Sequence, residues 1–431
     1  MRSNLSLISK RCELTVLLLA YYFVQSKIYQ NIIAVEFSYI GFVTNTQLNE
    51  LTSFLIVGIL SLFLRVQFKK PSDFFNLFIF LNLIIPLEIL MKNGAVSTPT
   101  MLKCVLCFLI TRFCSELKFP NLPKIELNIN QYTKYGGYYC FAVVIFLFFY
   151  LGTSNFSLQF EGIYYRRDKF TESIDNTVAI LVNICFKVVL PMIFIYSLKK
   201  RKIFYSFAAF ILFIIGFGIT SFKFLLFLPI LLLVSFYYSG KFMNWKNLII
   251  GIVVVLCLLF CHYFYTKDSF FVSLLVRRPV YLPCLLIEQY HDYYGSKGHT
   301  YWFNSFLNPF LNQSEIEAGN GAVVIGNYSG LSSYANTGIY GTGFMHAGLS
   351  GMILYSFLVG LLLSYLNSLR RKGFEKETIV GMAFTHVITL LSSSDFPVTL
   401  ITHGLLLFII LIFLFSNSIG KKESMSEFNQ A

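Results

Sequence analysis

The chain has 431 residues, of which 56% are hydrophobic and 13% charged, and its formal net charge at pH 7 is +13. A mean hydropathy of +0.66 excludes an ordinary soluble domain, in which charged residues make up about a quarter of the chain. The basic residues occupy short segments between apolar runs rather than one patch. The positive-inside bias of membrane proteins explains that distribution, so we predict no nucleic-acid partner.

Apolar runs dominate the sequence from end to end. A run of about eighteen residues is long enough to cross ~30 Å of hydrocarbon as a helix. The chain has about twelve such runs, some of them shorter, which predicts an all-α, polytopic integral membrane protein with about 12 transmembrane helices. The predicted spans begin near Thr15, Leu51, Phe74, Met101, Tyr138, Asn176, Phe204, Leu225, Leu248 and Gly343, and two short spans follow.

Four consecutive parts follow from this pattern. Residues 1–265 hold spans 1–9 and the outer loop 154–175. Residues 266–345 form the longest stretch without a span, which we predict to be a large extracytoplasmic loop between spans 9 and 10. Residues 346–416 hold spans 10–12, and residues 417–431 form a tail. Basic clusters such as Lys199–Lys202 mark the cytoplasmic side, which places both termini inside.

Cysteine and acidic residues limit the chemistry. Only Cys284 falls in the long outer loop, so we expect no disulfide framework there. Cys104 and Cys107 are spaced C-x-x-C in an apolar segment without a second ligand pair, which favours buried thiols. The outer loops contain no pair of adjacent acidic residues. We therefore predict neither a metal nor another cofactor.

Cationic residues on the predicted outer side have no topological reason to be there. Two of these sites are adjacent arginine pairs, and the planar guanidinium group matches phosphate oxygens bidentately. We predict that they bind the phosphates of a substrate, with two lysines as further point charges. The residues are Arg166, Arg167, Arg277, Arg278, Lys223 and Lys187. The alternative is binding of lipid headgroups, or pairing with Glu161, Asp168 and Glu172.

Residues 273–294 predict an amphipathic helix lying on the membrane interface, kinked or started at Pro279 and Pro283. His291 and Glu288 are three residues apart, so His291 is a candidate general base and Glu288 its orienting carboxylate. A solvated polar face is the alternative. About thirteen residues of straight helix, ~20 Å, separate His291 from Arg278, so the two would share one reaction only across a sharp bend.

The remaining polar residues of the spans have simpler interpretations. His346 lies at the outer end of span 10 and is a weaker candidate for the base. His262, His386 and His403 are expected to be satisfied inside the bundle. Glu88 and Lys92 are expected to neutralise each other at i, i+4. Residues 319–343 are rich in Gly, Asn, Ser and Tyr, which suits either a sugar-binding loop or a linker.

With these residues in view, the chain resembles the Wzy-type polymerases of O-antigen or related oligosaccharide repeat units. The resemblance covers the topology of the whole length and is most specific across RRPVYLPCLLIEQYHDYYGSKGHTYWFNS and IGNYSGLSSYANTGIYGTGFMHAGLSGMIL. It implies glycosyl transfer between undecaprenyl-pyrophosphate-linked units at the periplasmic face of a bacterial inner membrane, together with a flippase and a chain-length regulator as partners. Arg166 or Arg167 and Arg277 or Arg278 would then hold the pyrophosphates.

Two alternatives stay open. O-antigen ligases, like other polyprenyl-sugar glycosyltransferases, act on the same kind of substrate, and the ligases place a His beside an Asn shortly before the returning span. Here Ala335 precedes Asn336, which counts against a ligase and leaves Asn336 as a candidate substrate-binding residue. A flippase should show two related halves, and no such symmetry is visible, although Lys187 favours transport.

Overall fold

The computed structural model describes residues 2–120, 129–152, 156–240, 245–303, 320–331 and 334–415. It is 80% helical, and the described residues contain no strand. The prediction of an all-α chain is therefore confirmed. The predicted tail, residues 417–431, lies outside the described part, as do residues 304–319 of the long loop.

Helices of membrane-spanning length recur along the described part of the chain. Seven of them are long and apolar enough to cross a bilayer, which identifies a chain with several candidate spans. They are Pro71–Lys92, Gln131–Leu151, Asn176–Lys199, Ile203–Thr220, Trp245–Thr266, Phe270–Lys297 and Ile339–Arg371. Three shorter apolar helices are Glu50–Ser61, Lys223–Ser239 and Leu405–Phe415.

The chain forms two compact units. The first comprises Met1–Phe119, Met243–Asn367 and Thr389–Phe396. Besides its candidate spans, it contains the helices Arg2–Ile28, Ala34–Glu36, Glu50–Ser61, Thr98–Cys114 and Gly321–Tyr328. The second comprises Pro120–Phe242, Ser368–Ile388 and Pro397–Ala431. It contains the helices Ile129–Leu151, Ile163–Ser173, Lys376–Ser392 (as far as Ile388), Phe396–Ile401 (from Pro397) and Leu405–Phe415.

Short polar side chains start several of these helices where the sequence leaves the apolar pattern. Asn49, Ser97 and Asp175 each accept a hydrogen bond from a backbone N–H in the first turn. That N–H would otherwise have no partner at a helix start. Ser97 thereby fixes the first turn of helix Thr98–Cys114. That helix carries Thr100 and Lys103.

The helix Phe270–Lys297 differs from its prediction. Its segment Ser273–Tyr281 is π-helical and contains Pro279, which has no N–H to donate to the helical ladder. The predicted solvated polar face is wrong, because Arg277 and His291 are each only 6% exposed and Tyr281 is fully buried. Helical spacing groups polar residues on one face, but it does not tell whether water or protein covers that face.

Buried contacts hold this helix inside the first unit. The Tyr281 hydroxyl donates to the Gln25 carbonyl at 3.0 Å, and its ring packs on Tyr29 at 5.2 Å between centroids. The Thr337 hydroxyl donates to the Pro283 carbonyl at 3.2 Å. The helix therefore belongs to the core of the unit rather than to a detached surface loop.

The ion pair predicted between Glu88 and Lys92 is also wrong. Lys92 is paired with Glu50, with 2.9 Å between Nζ and Oε1. Both oxygens of the fully buried Glu88 carboxyl lack a hydrogen-bond partner among the described residues. The spacing i, i+4 allows a pair on one helix, but Glu50 on a neighbouring helix reaches Lys92.

Candidate functional site

The helix Ile339–Arg371 is broken near its start. Ala347 and Gly348 leave helical geometry, and Gly348 has φ 60°, a conformation that favours glycine. A Cβ on Gly348 would lie 2.8 Å from His299 Nε2, and one on Gly351 would lie 2.1 Å from the Gly343 carbonyl oxygen. Glycine at these positions allows the two segments to cross closely and His299 to approach the break.

His346 lies immediately before the break and is engaged on both ring nitrogens. Its Nε2 is 3.0 Å from Asp395 Oδ2, and its Nδ1 is 3.0 Å from Thr300 Oγ1. The imidazole is 1% exposed. The pair with Asp395 fixes the orientation of the ring, and Thr300 occupies the nitrogen through which His346 could otherwise reach a substrate.

A strained turn holds aromatic surface against this pair. Tyr301 and Trp302 both have positive φ, 44° and 65°, which is costly for large side chains and is concentrated at functional sites. The turn is fixed because Thr300 and Tyr301 donate their N–H groups to the carbonyls of Met345 and His346, each at 2.9 Å. The Trp302 ring stacks on His346 at 5.3 Å and 13°.

Phe344, two residues before His346, is surrounded by three nitrogen-bearing side chains. His291 stacks on its ring at 3.8 Å, and His299 meets the ring edge-on at 5.2 Å. Lys103 Nζ lies 4.7 Å from the ring centroid. We call Lys103, His291, His299 and Phe344 the Phe344 cluster; it combines imidazoles, an ammonium group and an aromatic face.

His291, the predicted base, lies in this cluster, but its hydrogen-bond partner and its exposure do not fit the predicted role. Its Nδ1 is 3.0 Å from Thr100 Oγ1, so Thr100, and not Glu288, orients the ring. Glu288 Oε2 and His291 Nε2 have no hydrogen-bond partner among the described residues. With 6% exposure, His291 has little access to a substrate.

His299 is better placed for proton transfer. Its side chain is partly exposed. Burial, and to a lesser extent the charge of Lys103, lower the pKa of His299 from its ordinary value of 6.5. A neutral imidazole can accept a proton near neutral pH; the Nδ1 atom of His299 is buried and has no hydrogen-bond partner among the described residues. Lys103 forms no ion pair with the described residues, so its charge is available to an anionic ligand.

Arg277 and Arg278, the adjacent arginines of the first unit, occupy different environments. Arg277 is buried, its guanidinium carbon lies 4.1 Å from the Phe37 ring centroid, and its Nε and Nη2 both donate to Ser273 Oγ. No acidic side chain of the described part pairs with Arg277. Arg278 is exposed. Arg278 is therefore the more accessible of the two for a ligand.

In the second unit, Arg167 and Lys223 lie against the same aromatic ring, that of Tyr164. The distances to the ring centroid are 5.3 Å for Arg167 and 4.4 Å for Lys223, and Lys223 Nζ donates to the Tyr164 hydroxyl at 3.2 Å. Burial and then the charge of Arg167 lower the pKa of Lys223. Arg167 also pairs with Asp168 at 2.8 Å, as the alternative interpretation expects.

Arg166 has a structural contact instead. Its guanidinium donates to the backbone carbonyls of Glu161 and Gln159, which fixes the turn before helix Ile163–Ser173. The two adjacent arginines therefore differ: Arg166 binds backbone, and Arg167 faces Tyr164 with Lys223.

The other predicted residues lie apart from the Phe344 cluster. Asn336 is exposed in the segment before helix Ile339–Arg371. Lys187 lies in the second unit, 3.1 Å from His403 Nδ1. Part of the predicted sugar-binding tract, residues 319 and 332–333, lies outside the described residues.

Sequence reasoning missed Lys103, His299, Thr300 and Asp395 as site residues. A signal existed for Lys103, a cation close to the predicted outer end of span 4. A signal also existed for Asp395, an acid in the outer turn before span 12. The contacts among these residues join positions far apart in the chain, so local spacing carries no sign of them.

The described residues contain no group of three or more His, Cys, Asp or Glu that could hold a metal ion. No protein-family model, curated protein or solved structure matches the chain. The site must therefore be interpreted from its own geometry.

Proposed function

We propose that this protein is a Wzy-type polymerase that joins undecaprenyl-pyrophosphate-linked oligosaccharide units at the periplasmic face of a bacterial inner membrane. The arrangement of the sequence supports the family, and the Phe344 cluster supports the chemistry. A chain-length regulator and the flippase of the same pathway are the proposed partners. The glycosyl pyrophosphate bond supplies the energy, so the reaction requires no nucleotide.

The proposed topology has about twelve spans with both termini in the cytoplasm. In it, helix Phe270–Lys297 lies within the outer half of the membrane without crossing. Its contacts support this orientation: Arg277 touches Phe37, and His291 touches Thr100. With the N-terminus in the cytoplasm, both partners lie on the outer side, Phe37 between spans 1 and 2 and Thr100 just before span 4. A crossing helix would instead carry residues about 21 Å apart toward opposite faces.

The observation that carries the proposal is the Phe344 cluster, which places His299 and Lys103 around one aromatic ring. In the proposed reaction, neutral His299 takes the proton of an acceptor hydroxyl as its oxygen bonds to the anomeric carbon of the donor. The bond from that carbon to the pyrophosphate oxygen breaks, and the leaving group departs as an anion. A positioned cation stabilises the developing charge, which is commonly the largest contribution to catalysis.

The remaining residues have supporting roles in this proposal. Lys103 holds the donor pyrophosphate, Arg278 holds a pyrophosphate group further along helix Phe270–Lys297, and Arg167 and Lys223 hold a phosphate group on the second unit. Trp302 supplies an aromatic face that suits the apolar side of a sugar ring. His346 and Asp395 are positioning residues, because they hold the turn that carries His299.

A flippase for the lipid-linked unit is the second candidate function. The observation that favours it is Lys187, a cation inside the candidate span Asn176–Lys199. Ionisable residues in spans often mark substrate or proton pathways. A flippase would not require the Phe344 cluster, which is why we favour the polymerase.

Deleting the gene tests this choice in cells. A polymerase deletion should leave lipopolysaccharide that carries a single repeat unit, in place of the ladder seen on a gel. Complementation with the intact gene should restore the ladder. A rough core without any repeat unit would contradict the proposal and point to a flippase or a ligase.

A further inference from the structure

Three basic side chains of the second unit lie close together, one of them fully buried and two partly exposed. Lys187 Nζ lies 3.1 Å from His403 Nδ1, and His386 lies on the helix Lys376–Ser392, whose Gly381 packs against the helix that carries Lys187. His386 is 1% exposed. We call Lys187, His386 and His403 the basic triad.

Two glycines pack closely against the helix that carries Lys187, and this brings the segments of the triad together. Gly404 follows His403, and a Cβ there would lie 2.6 Å from Val188 Cγ2, in the residue after Lys187. Gly381 lies five positions before His386, and a Cβ there would lie 2.7 Å from Ile195 Cδ1. Both contacts are with the helix that carries Lys187. Lys187 itself lies in the π-helical segment Ile184–Val189, a widened geometry that is frequent at functional sites.

The triad has more hydrogen-bond donors than partners. Both ring nitrogens of His386 lack a hydrogen-bond partner among the described residues. No acidic side chain of the described part pairs with Lys187. A cation inside a span is normally paired with an acid or faces a ligand. The predicted satisfaction of His386 within the bundle is wrong, because its buried ring nitrogens have no partner among the described residues. Lys187 and His403 are both partly exposed, which leaves an approach from one side.

We propose that the basic triad is a binding site for an oxyanion of the phosphate class. Lys187 supplies the charge, and the imidazoles of His386 and His403 supply N–H donors. Sequence alone predicts a phosphate contact for Lys187; the two histidines and their convergence come from the structure. The proposal goes beyond glycosyl transfer, since such binding can be measured whether or not the protein lengthens a glycan.

Thermal unfolding of the full-length protein in detergent tests the proposal. Inorganic pyrophosphate and inorganic phosphate are titrated separately against sodium chloride at matched ionic strength. We expect saturable stabilisation by pyrophosphate, by several degrees, and weaker stabilisation by phosphate. The shift should disappear in Lys187→Met and fall in His386→Phe. No shift in the intact protein, or an undiminished shift in Lys187→Met, would overturn the proposal.

Lys200→Met is the matched control. Lys200 is exposed at the end of the same helix, so this variant loses the same charge without touching the triad and should keep the shift. If Lys187→Met does not fold, His403→Gln and Lys187→Arg replace it. The arginine variant should retain most of the binding, and the glutamine variant should lose at least half of the shift.

The phosphate could belong to a lipid or to a free anion, and a second comparison separates these sources. The protein is placed in nanodiscs of phosphatidylcholine with or without phosphatidylglycerol, and pyrophosphate is titrated again. If lipid headgroups fill the triad, phosphatidylglycerol should stabilise the intact protein but not Lys187→Met, and should weaken the pyrophosphate shift. If the triad takes a free anion, the pyrophosphate shift should be equal in both nanodiscs.

Discussion

Replacing His299 with glutamine should lower the rate of glycan lengthening about 10²–10⁴-fold, the usual contribution of a general base. Glutamine keeps a polar side chain beside Gly348 and Phe344 but cannot accept the proton. The rate is measured with purified protein and lipid-linked repeat units, by the length distribution of the product on a gel. Membrane abundance and the unfolding midpoint should stay near those of the intact protein.

The pH dependence gives a second readout for the same residue. The base works in its neutral form, and burial with the charge of Lys103 lowers the pKa of His299. The rate should therefore rise with pH along a limb centred below 6.5 and level off above it. In His299→Gln that limb should vanish, since the group that titrates is gone.

Two other histidine variants test whether His299 or His291 is the general base. His291→Gln should cost less activity and more stability, because His291 is buried against Thr100 and Phe344. His262→Gln, on the helix Trp245–Thr266 of the same unit, should leave lengthening unchanged. A larger loss of rate in His291→Gln than in His299→Gln would assign the base to His291, as the sequence alone predicts.

Lys103→Met should lower the rate at saturating substrate about 10²–10³-fold, the typical cost of removing one group that stabilises developing negative charge. Methionine preserves much of the length and contact with Phe344 while removing the ammonium group. Lys103→Arg should recover part of the loss because the positive charge returns. The measurement is single-turnover transfer, which separates the chemical step from binding.

The matched control for Lys103 is Lys69→Met, since Lys69 is exposed on the same unit. Arg278→Ala provides the comparison with the arginine prediction and should also abolish chain growth while the protein stays in the membrane. An Arg278→Ala variant with a full ladder would remove that residue from the pyrophosphate site. Wild-type rates in Lys103→Met would remove Lys103 in the same way.

The helices themselves could be predicted from the sequence because the hydrocarbon thickness fixes their length. The span predicted to begin near Asn176 is a helix from Asn176 to Lys199, and the spans predicted to begin near Phe204 and Leu225 are the helices Ile203–Thr220 and Lys223–Ser239. A lysine inside a span is expected to face protein or a cavity, and the contact of Lys187 with His403 agrees with this.

The partners of polar residues could not be predicted, because they come from other parts of the chain. Thr100 reaches His291, and Glu50 reaches Lys92, across long sequence separations. Local spacing suggested Glu288 and Glu88 instead, since it can compare only neighbours on one helix. The positive φ values of Tyr301 and Trp302 also arise from tertiary contacts, so the turn that presents His299 has no local signature.

The most direct measurement is reconstitution of the purified protein in vesicles with undecaprenyl-pyrophosphate-linked repeat units added to the periplasmic face. Intact protein should convert single units into a ladder of longer glycans with release of undecaprenyl pyrophosphate, and His299→Gln vesicles should leave single units. Vesicles that move the lipid-linked unit across the bilayer without ever lengthening the glycan would contradict the proposed function.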